Sequence, residues 1–305
     1  MTDHVYGAIV IGEGISGLTV AKALAEAGLG VATFESQMYG GLIVNINDMR
    51  PGPSDAPMSG SELTAGLMEE NAELGVASIQ EPVTQIVRTQ DLLEVHTSSG
   101  VYAAHHVVMA SGARLKKLGV PGESEFAGRG VSQCADCDGP MNFDADVVVV
   151  GGGDSALQEA LVLTRFGKRI HLVHRGDKFR AREEFVKAVS EHPKITVAWN
   201  TNVVAITGKK VVDGVRLAQG DVQTRQLACT AVFAYVGLEP NEGYVPDDIA
   251  RDASGYIVTD SACATAWPNV WAVGALRSGF SGLVPDAIEE GKAVAERIKS
   301  ASAAG

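Results

Sequence analysis

A unit of strand, glycine-rich turn, helix and strand occurs twice in this chain with the same internal spacing, and no other feature constrains the fold as much. Ile9-Val10-Ile11-Gly12-Glu13-Gly14-Ile15-Ser16-Gly17 leads into a helical stretch up to Gly28 and a strand ending at Glu35. Val148-Val149-Val150-Gly151-Gly152-Gly153-Asp154-Ser155-Ala156 leads likewise to Gly167 and a strand ending at His174. Gly12 and Gly151, Gly28 and Gly167, and Glu35 and His174 are each 139 residues apart. A single GxGxxG carries little weight, whereas two in register with equal strand and helix lengths carry a great deal. In each copy the first glycine makes the tight turn and the second lets backbone approach a pyrophosphate. The third position, Gly17 or Ala156, allows close packing of a helix whose N-terminus is positively polarised. Two bound dinucleotides are expected.

The tip of the second strand sets which dinucleotide each copy holds. Glu35 is a carboxylate that accepts hydrogen bonds from a free ribose diol and repels a 2′-phosphate, which suits FAD or NAD. The second copy ends in His174-Arg175-Gly176-Asp177-Lys178-Phe179-Arg180, where two guanidinium groups can pair a phosphate, so NADPH is favoured over NADH. Ahead of this copy stands Cys134-Ala135-Asp136-Cys137-Asp138-Gly139. A dithiol beside a nucleotide-binding unit implies electrons passing from a soluble cofactor to a disulfide. A CxxC can also be half of a zinc site, but no second CxxC exists, and His105 and His106 alternate along a strand pattern, so no metal is expected.

With 305 residues, 46% of them hydrophobic, the chain can bury two cores of ordinary size. A net charge of −12 argues against nucleic acid or an anionic membrane as partner. The first ten residues lack a basic signal-peptide region, no apolar run approaches a membrane span, and four cysteines are too few for a disulfide scaffold. These features together point to the cytoplasm. Cys229 and Cys263 read as buried structural thiols.

Polar crossing segments follow Ala113 and Gly237, so the second unit reads as an insertion in the first. The expected fold is α/β, with two Rossmann-like three-layer dinucleotide-binding domains. An outer FAD-binding domain spans 1–113 and 245–305, and an inner NAD(P)-binding domain, 114–244, carries the CxxC. Alternating segments at 83–104 and 195–227 predict a small antiparallel piece on each parallel sheet. The stretch 284–299 predicts a closing helix with Pro285 at its start.

The order of these motifs, with Gly40-Gly41, Ala110-Ser111-Gly112-Ala113 and Leu118-Gly119-Val120-Pro121-Gly122-Glu123 between them, resembles the low-molecular-weight thioredoxin reductases over nearly the whole chain. The resemblance implies a flavin-dependent disulfide reductase. NADPH, held at Gly151, Gly153, Asp154, Ser155, Ala156, His174, Arg175 and Arg180, reduces FAD. FAD would be held at Gly12, Gly14, Gly17, Glu35, Gly40, Gly41, Asn45, Ala110, Gly112, Gly274 and Ala287. Cys137 would face the flavin, Cys134 would attack the substrate disulfide, and Asp138 would move the proton. Thioredoxin, a thioredoxin-like protein or a small disulfide would be the partner of a homodimeric enzyme, and 114–123 and 238–245 would be hinges for domain rotation.

Several positions depart from the family pattern. Gly274-Ala275 stands where Gly-Asp is usual, Val284-Pro285 where Arg-Gln is usual, Arg175-Gly176 where Arg-Arg is usual, and Leu42-Ile43 follow the glycine pair where a Gln is common. Ala275 and Gly176 keep open an alternative, an FAD-dependent dithiol oxidase using oxygen or a reductase with another electron donor. A third reading, a flavin-binding redox sensor, is opposed by the intact turn from Gly151 to Ala156.

Overall fold

The runs that read as unbroken apolar stretches do so because both their faces are covered. In the computed structural model, which describes residues 4–46, 49, 58–220 and 223–302, the chain divides into Met1–Arg114 with Glu239–Gly305, and Leu115–Leu238.

In the outer unit, β1 (Val5–Ile11) leads to α1 (Ile15–Glu26), β2 (Val31–Phe34), α2 (Gly60–Glu73) and β3 (Ala77–Ile79). β4 (Val83–Arg88), β5 (Leu93–Thr97) and β6 (Val101–Met109) follow. The sheet order is β3-β2-β1-β6-β5-β4, parallel from β3 to β6 and antiparallel from β6 to β4. Val20, Ala21 and Leu24 of α1 pack on one face with Val294, Ala295 and Ile298 of the C-terminal helix. On the other face Phe34, Ile86 and Val95 pack with Tyr244, Val245 and Ile249.

β7 (Ala113–Leu115) begins the passage into the inner unit, where Glu123 caps the turn by accepting the N–H groups of Leu118 and Gly119 at 2.7 and 2.8 Å. The elements there are β8 (Val131–Ser132), α3 (Ala135–Asp138), β9 (Asp146–Gly151), α4 (Asp154–Leu163), β10 (Arg169–Val173), α5 (Glu183–Glu191) and β11 (Ile195–Ala198). After them come β12 (Thr201–Gly208), β13 (Val212–Gln219), β14 (Gln223–Ala228) and β15 (Ala231–Tyr235). The parallel sheet runs β11-β10-β9-β15-β8, with α4 and α5 on one face and the antiparallel sheet β12-β13-β14 over the other. β16 (Leu238–Pro240) pairs with β7, and β17 (Val270–Ala272) with α6 (Val284–Ser302) completes the outer unit.

Two boundaries differ from expectation. The return to the outer unit comes at Glu239 rather than after 244, because Asn241 N donates to Gly112 O (3.0 Å) and Tyr244 and Val245 are buried in the outer core. Ile195–Ala198 belongs to the parallel sheet and not to the antiparallel piece. Helix α5 carries the chain back across the face, so β11 arrives parallel to β10, with Ile170 opposite Ile195. Among the described residues no helix is long and apolar enough to cross a membrane.

Candidate active site

In the inner unit the cysteines are joined as the disulfide Cys134–Cys137, with Cα atoms 5.3 Å apart across the single turn of α3. The turn closes on itself: Cys137 N donates to Cys134 Sγ at 3.2 Å and Asp138 N to Cys134 O at 3.1 Å. Ala135 between the sulfurs is fully buried, and its N–H donates to Glu159 of α4. Gly139 is required here, since a Cβ would lie 2.6 Å from the Phe166 ring. Asp138 is half-buried next to Cys137, and its carboxylate makes no hydrogen bond or ion pair to any described residue. Beyond the turn Met141 and Phe143 are 76% and 77% exposed, two large apolar side chains beside the disulfide.

The same unit holds a cleft of about 620 Å³ at the C-terminal ends of its parallel strands, where a doubly wound sheet binds nucleotides. Gly151, Gly153, Asp154, Ser155, Ala156, His174, Arg175 and Arg180 all line it. Gly151 has φ +152° and a Cβ there would come 2.4 Å from Tyr235 O, whereas a Cβ at Gly153 would meet nothing within 4 Å. The first glycine therefore serves the turn and the second leaves open room for a phosphate. The basic segment is folded over this turn. His174 is buried against Gly152, donates from Nε2 to Lys178 O (3.0 Å), and meets the Phe179 ring at a tilt and the Trp199 ring edge-on, while Arg180 N donates to Gly152 O (2.8 Å). His174 is thus a post that presents the two arginines. The Asp154 carboxylate is occupied by Arg182, which donates through N and Nε at 2.7 Å each. Lys116 and Lys117 also line the cleft and escaped the motif reading, because they come from the crossing segment.

In the outer unit Gly12 has φ +109° and a Cβ there would strike Ala110 O at 2.4 Å; one at Gly17 would lie 2.0 Å from Gly12 O. A Cβ at Gly14 would meet nothing within 4 Å, so this turn too is open at its second glycine. Glu35 accepts from Glu13 N (3.0 Å), Ser36 N (2.8 Å) and Gln37 N (3.0 Å), which orients the carboxylate and leaves acceptor capacity for a ribose hydroxyl. Glu13, fully buried, is held by Thr33 and Ser78 hydroxyls at 2.6 Å each. Gly40 is in the left-handed region, donates to Glu13 O (2.7 Å) and bridges Gly14; Gly41 follows it, and Asn45 ends the short 3₁₀ turn, exposed.

Gly112, at φ +63°, accepts from Asn241 N. Gly274 belongs with the fingerprint: at φ +66°, a Cβ there would lie 2.3 Å from Ser16 Oγ, and its N–H donates to Glu290 (3.0 Å) of α6. Glu290 is ion-paired with Arg277, which holds the Arg277 guanidinium above its usual pKa. A glutamate from the following helix therefore braces this turn, a contact that only tertiary proximity reveals. Ala287 differs from expectation: its N–H already donates to Leu283 O (3.1 Å) and its side chain is buried, so only amides ahead of it are left at that helix start.

Cys229 and Cys263 are buried free thiols; burial pushes the Cys229 thiol up to about 12 and raises that of Cys263. Among the described residues no group of three or more His, Cys, Asp and Glu side chains is placed to hold a metal ion.

Residues 6–302 match the family model described as pyridine nucleotide-disulphide oxidoreductase. The chain is 37% identical over 297 residues to the thioredoxin reductase of Treponema pallidum, covering 97% of this chain and 96% of that one. It is 36% identical to the bifunctional thioredoxin reductase/thioredoxin of Mycobacterium leprae, over 90% of this chain and 61% of that protein. The crystal structure of Lactococcus lactis thioredoxin reductase superposes with a TM-score of 0.91 at 32% identity, covering 97% of this chain and 98% of that one. Twin nucleotide turns, a disulfide on the inserted unit and likeness over the full length make this chain a member of the pyridine nucleotide-disulphide oxidoreductases, in their low-molecular-weight thioredoxin reductase branch.

Proposed function

We propose that this protein reduces a disulfide of thioredoxin or a thioredoxin-like partner at the expense of NADPH, through FAD and the Cys134–Cys137 pair. The observation that carries the reading is a formed disulfide on the same unit as a cleft of about 620 Å³ lined by the glycine turn and two arginines. Both turns fit a dinucleotide, since each is closed by backbone at its first glycine and open at its second. FAD, when bound, supplies two-electron transfer between nicotinamide and disulfide.

The remaining roles belong to side chains of this chain. Arg175 and Arg180 pair the 2′-phosphate, and Lys116 and Lys117 add positive charge to the same cleft. Reduction of the S–S bond consumes two electrons and, to reach two thiols, two protons, one of which passes through the Asp138 carboxylate beside Cys137. The N–H of Cys137 on Cys134 Sγ favours negative charge on that sulfur, which suits Cys134 to attack the partner's disulfide. Exposed Met141 and Phe143 next to the turn suit a protein surface better than a small polar disulfide. In the outer unit Glu35 takes the adenosine ribose of FAD, Gly12, Gly14 and Gly17 its pyrophosphate, and Gly40, Gly41, Asn45, Ala110, Gly112 and Gly274 shape the same site. The paired connections at Ala113–Leu115 and Leu238–Pro240 act as hinges. Two buried free thiols suit a reducing cytoplasm, and the likeness to the family extends the proposal to a homodimer.

Mixing the yellow protein anaerobically with NADPH and, separately, with NADH tests the reading. Rapid bleaching by NADPH followed by loss of thioredoxin disulfide is expected, and Cys134→Ser or Cys137→Ser should abolish disulfide turnover while sparing flavin binding. Bleaching by neither nucleotide would replace the reading with dithiol oxidation by oxygen. Sedimentation velocity checks the dimer.

A further inference from the structure

One carboxylate behind the disulfide has no part in that scheme. Glu159 Oε2 accepts the Ala135 N–H at 3.2 Å and the Tyr235 O–H at 3.3 Å. Ala135 opens α3 between the two sulfurs, while Tyr235 ends β15 opposite Gly151 and lines the nucleotide cleft. A single oxygen therefore ties the turn that carries the disulfide to the strand end that walls the cleft. Burial, with the neighbouring Asp136 charge, raises the Glu159 pKa, whereas the two hydrogen bonds oppose that rise by favouring the anion. The other groups facing it are Asp136, which has Arg165 at 4.0 Å, and the Tyr235 hydroxyl, which burial holds in its neutral form.

We propose that Glu159 is a positioning residue for the dithiol: it anchors the Cys134–Cys137 turn through Ala135 and sets a negative charge beside it that offsets part of the thiolate stabilisation given by the Cys137 N–H and so makes the pair more strongly reducing. The inference rests on the disulfide being the redox centre. Two electrons from NADPH, delivered through the flavin, break the S–S bond. With two protons the product is two thiols, and with one it is a thiol and a thiolate. A fixed anion nearby disfavours the thiolate product, so the thiol pKa rises and the pair holds its electrons less tightly.

The test uses the full-length, FAD-loaded protein equilibrated in dithiothreitol redox buffers from neutral to alkaline pH, with thiols counted by iodoacetamide labelling. Glu159→Gln keeps an oxygen for Ala135 and drops the charge. It should move the equilibrium about tenfold toward the dithiol, about 30 mV, and lower the thiol pKa by about one unit. Glu159→Ala, which drops the charge and leaves the Ala135 N–H to water, should move the equilibrium the same way by a similar factor and carries the test if the first variant fails to fold. The flavin absorbance spectrum should be unchanged in both. Superimposable equilibria and pH profiles in wild type and variants, or a shift toward the disulfide, overturn the role of Glu159 while leaving the reductase reading intact. A wild-type pair that does not exchange with dithiothreitol at all overturns both.

Discussion

At the scale of single residues, neighbouring glycines of one turn do opposite work. A methyl group at Gly17 would collide with the Gly12 carbonyl at 2.0 Å, whereas one at Gly14 meets no protein atom within 4 Å. Gly17→Ala should therefore destabilise the protein by about 2 kcal/mol or more, as overpacking does. Gly14→Ala should leave the apo protein's Tm unchanged and weaken FAD binding, because the space it fills belongs to the ligand. Thermal melts with and without FAD distinguish the two. In the other turn Arg175→Ala or Arg180→Ala should each raise the KM for NADPH by about tenfold, the size of one charge-assisted hydrogen bond, and leave that for NADH almost unchanged. Steady-state kinetics with both nucleotides decides this. Cys229, buried and pushed up to about 12, should escape iodoacetamide at a pH where the reduced Cys134 and Cys137 are labelled.

At the scale of elements, the strand pair at the heart of the inner unit carries a pH dependence. Asp146 of β9 stands opposite Arg169 of β10 in register, and the guanidinium's hydrogen bonds, with its charge, hold the carboxylate below its usual range. A carboxylate with a depressed folded pKa contributes stability above its unfolded value, near 3.9, and that contribution disappears as pH falls through the lower folded value. Arg169→Met should accordingly lower stability slightly at neutral pH, a difference that disappears as pH falls below about 4, as denaturant titrations at both pH values will show. Local chemistry also explains what was legible here. The glycine turns, the helices after them and the closing helix from Val284 follow from spacing and composition. The parallel placement of Ile195–Ala198 does not, because a short alternating run fits either sheet until α5 fixes the direction from which the chain arrives.

At the scale of the whole molecule, each unit has a core of its own: Phe34, Ile86 and Met109 anchor one, Leu157, Leu172 and Phe233 the other. The nucleotide turns are likewise separate, one per unit. A ligand stabilises the unit that binds it, by about 2.7 kcal/mol at a hundredfold excess over Kd. Calorimetry should resolve two transitions, with FAD raising one midpoint and NADP⁺ the other; a single transition raised equally by both ligands would contradict this.

Chain order alone determined that this protein has two nucleotide units of equal internal spacing, one inserted in the other, with a dithiol just before the second. These follow from short-range rules, because a turn that must bring backbone to a phosphate tolerates few residues and declares itself in four or five positions. Tertiary structure decided what sequence distance hides. Glu290 reaches back 16 residues to brace Gly274, Glu159 reaches 24 residues to the turn between the cysteines, and lysines from the crossing segment enter the nucleotide cleft. A hydrogen bond depends on a few tenths of an ångström between side chains that packing, and not adjacency, brings together, so such partners have no signature until the chain is folded.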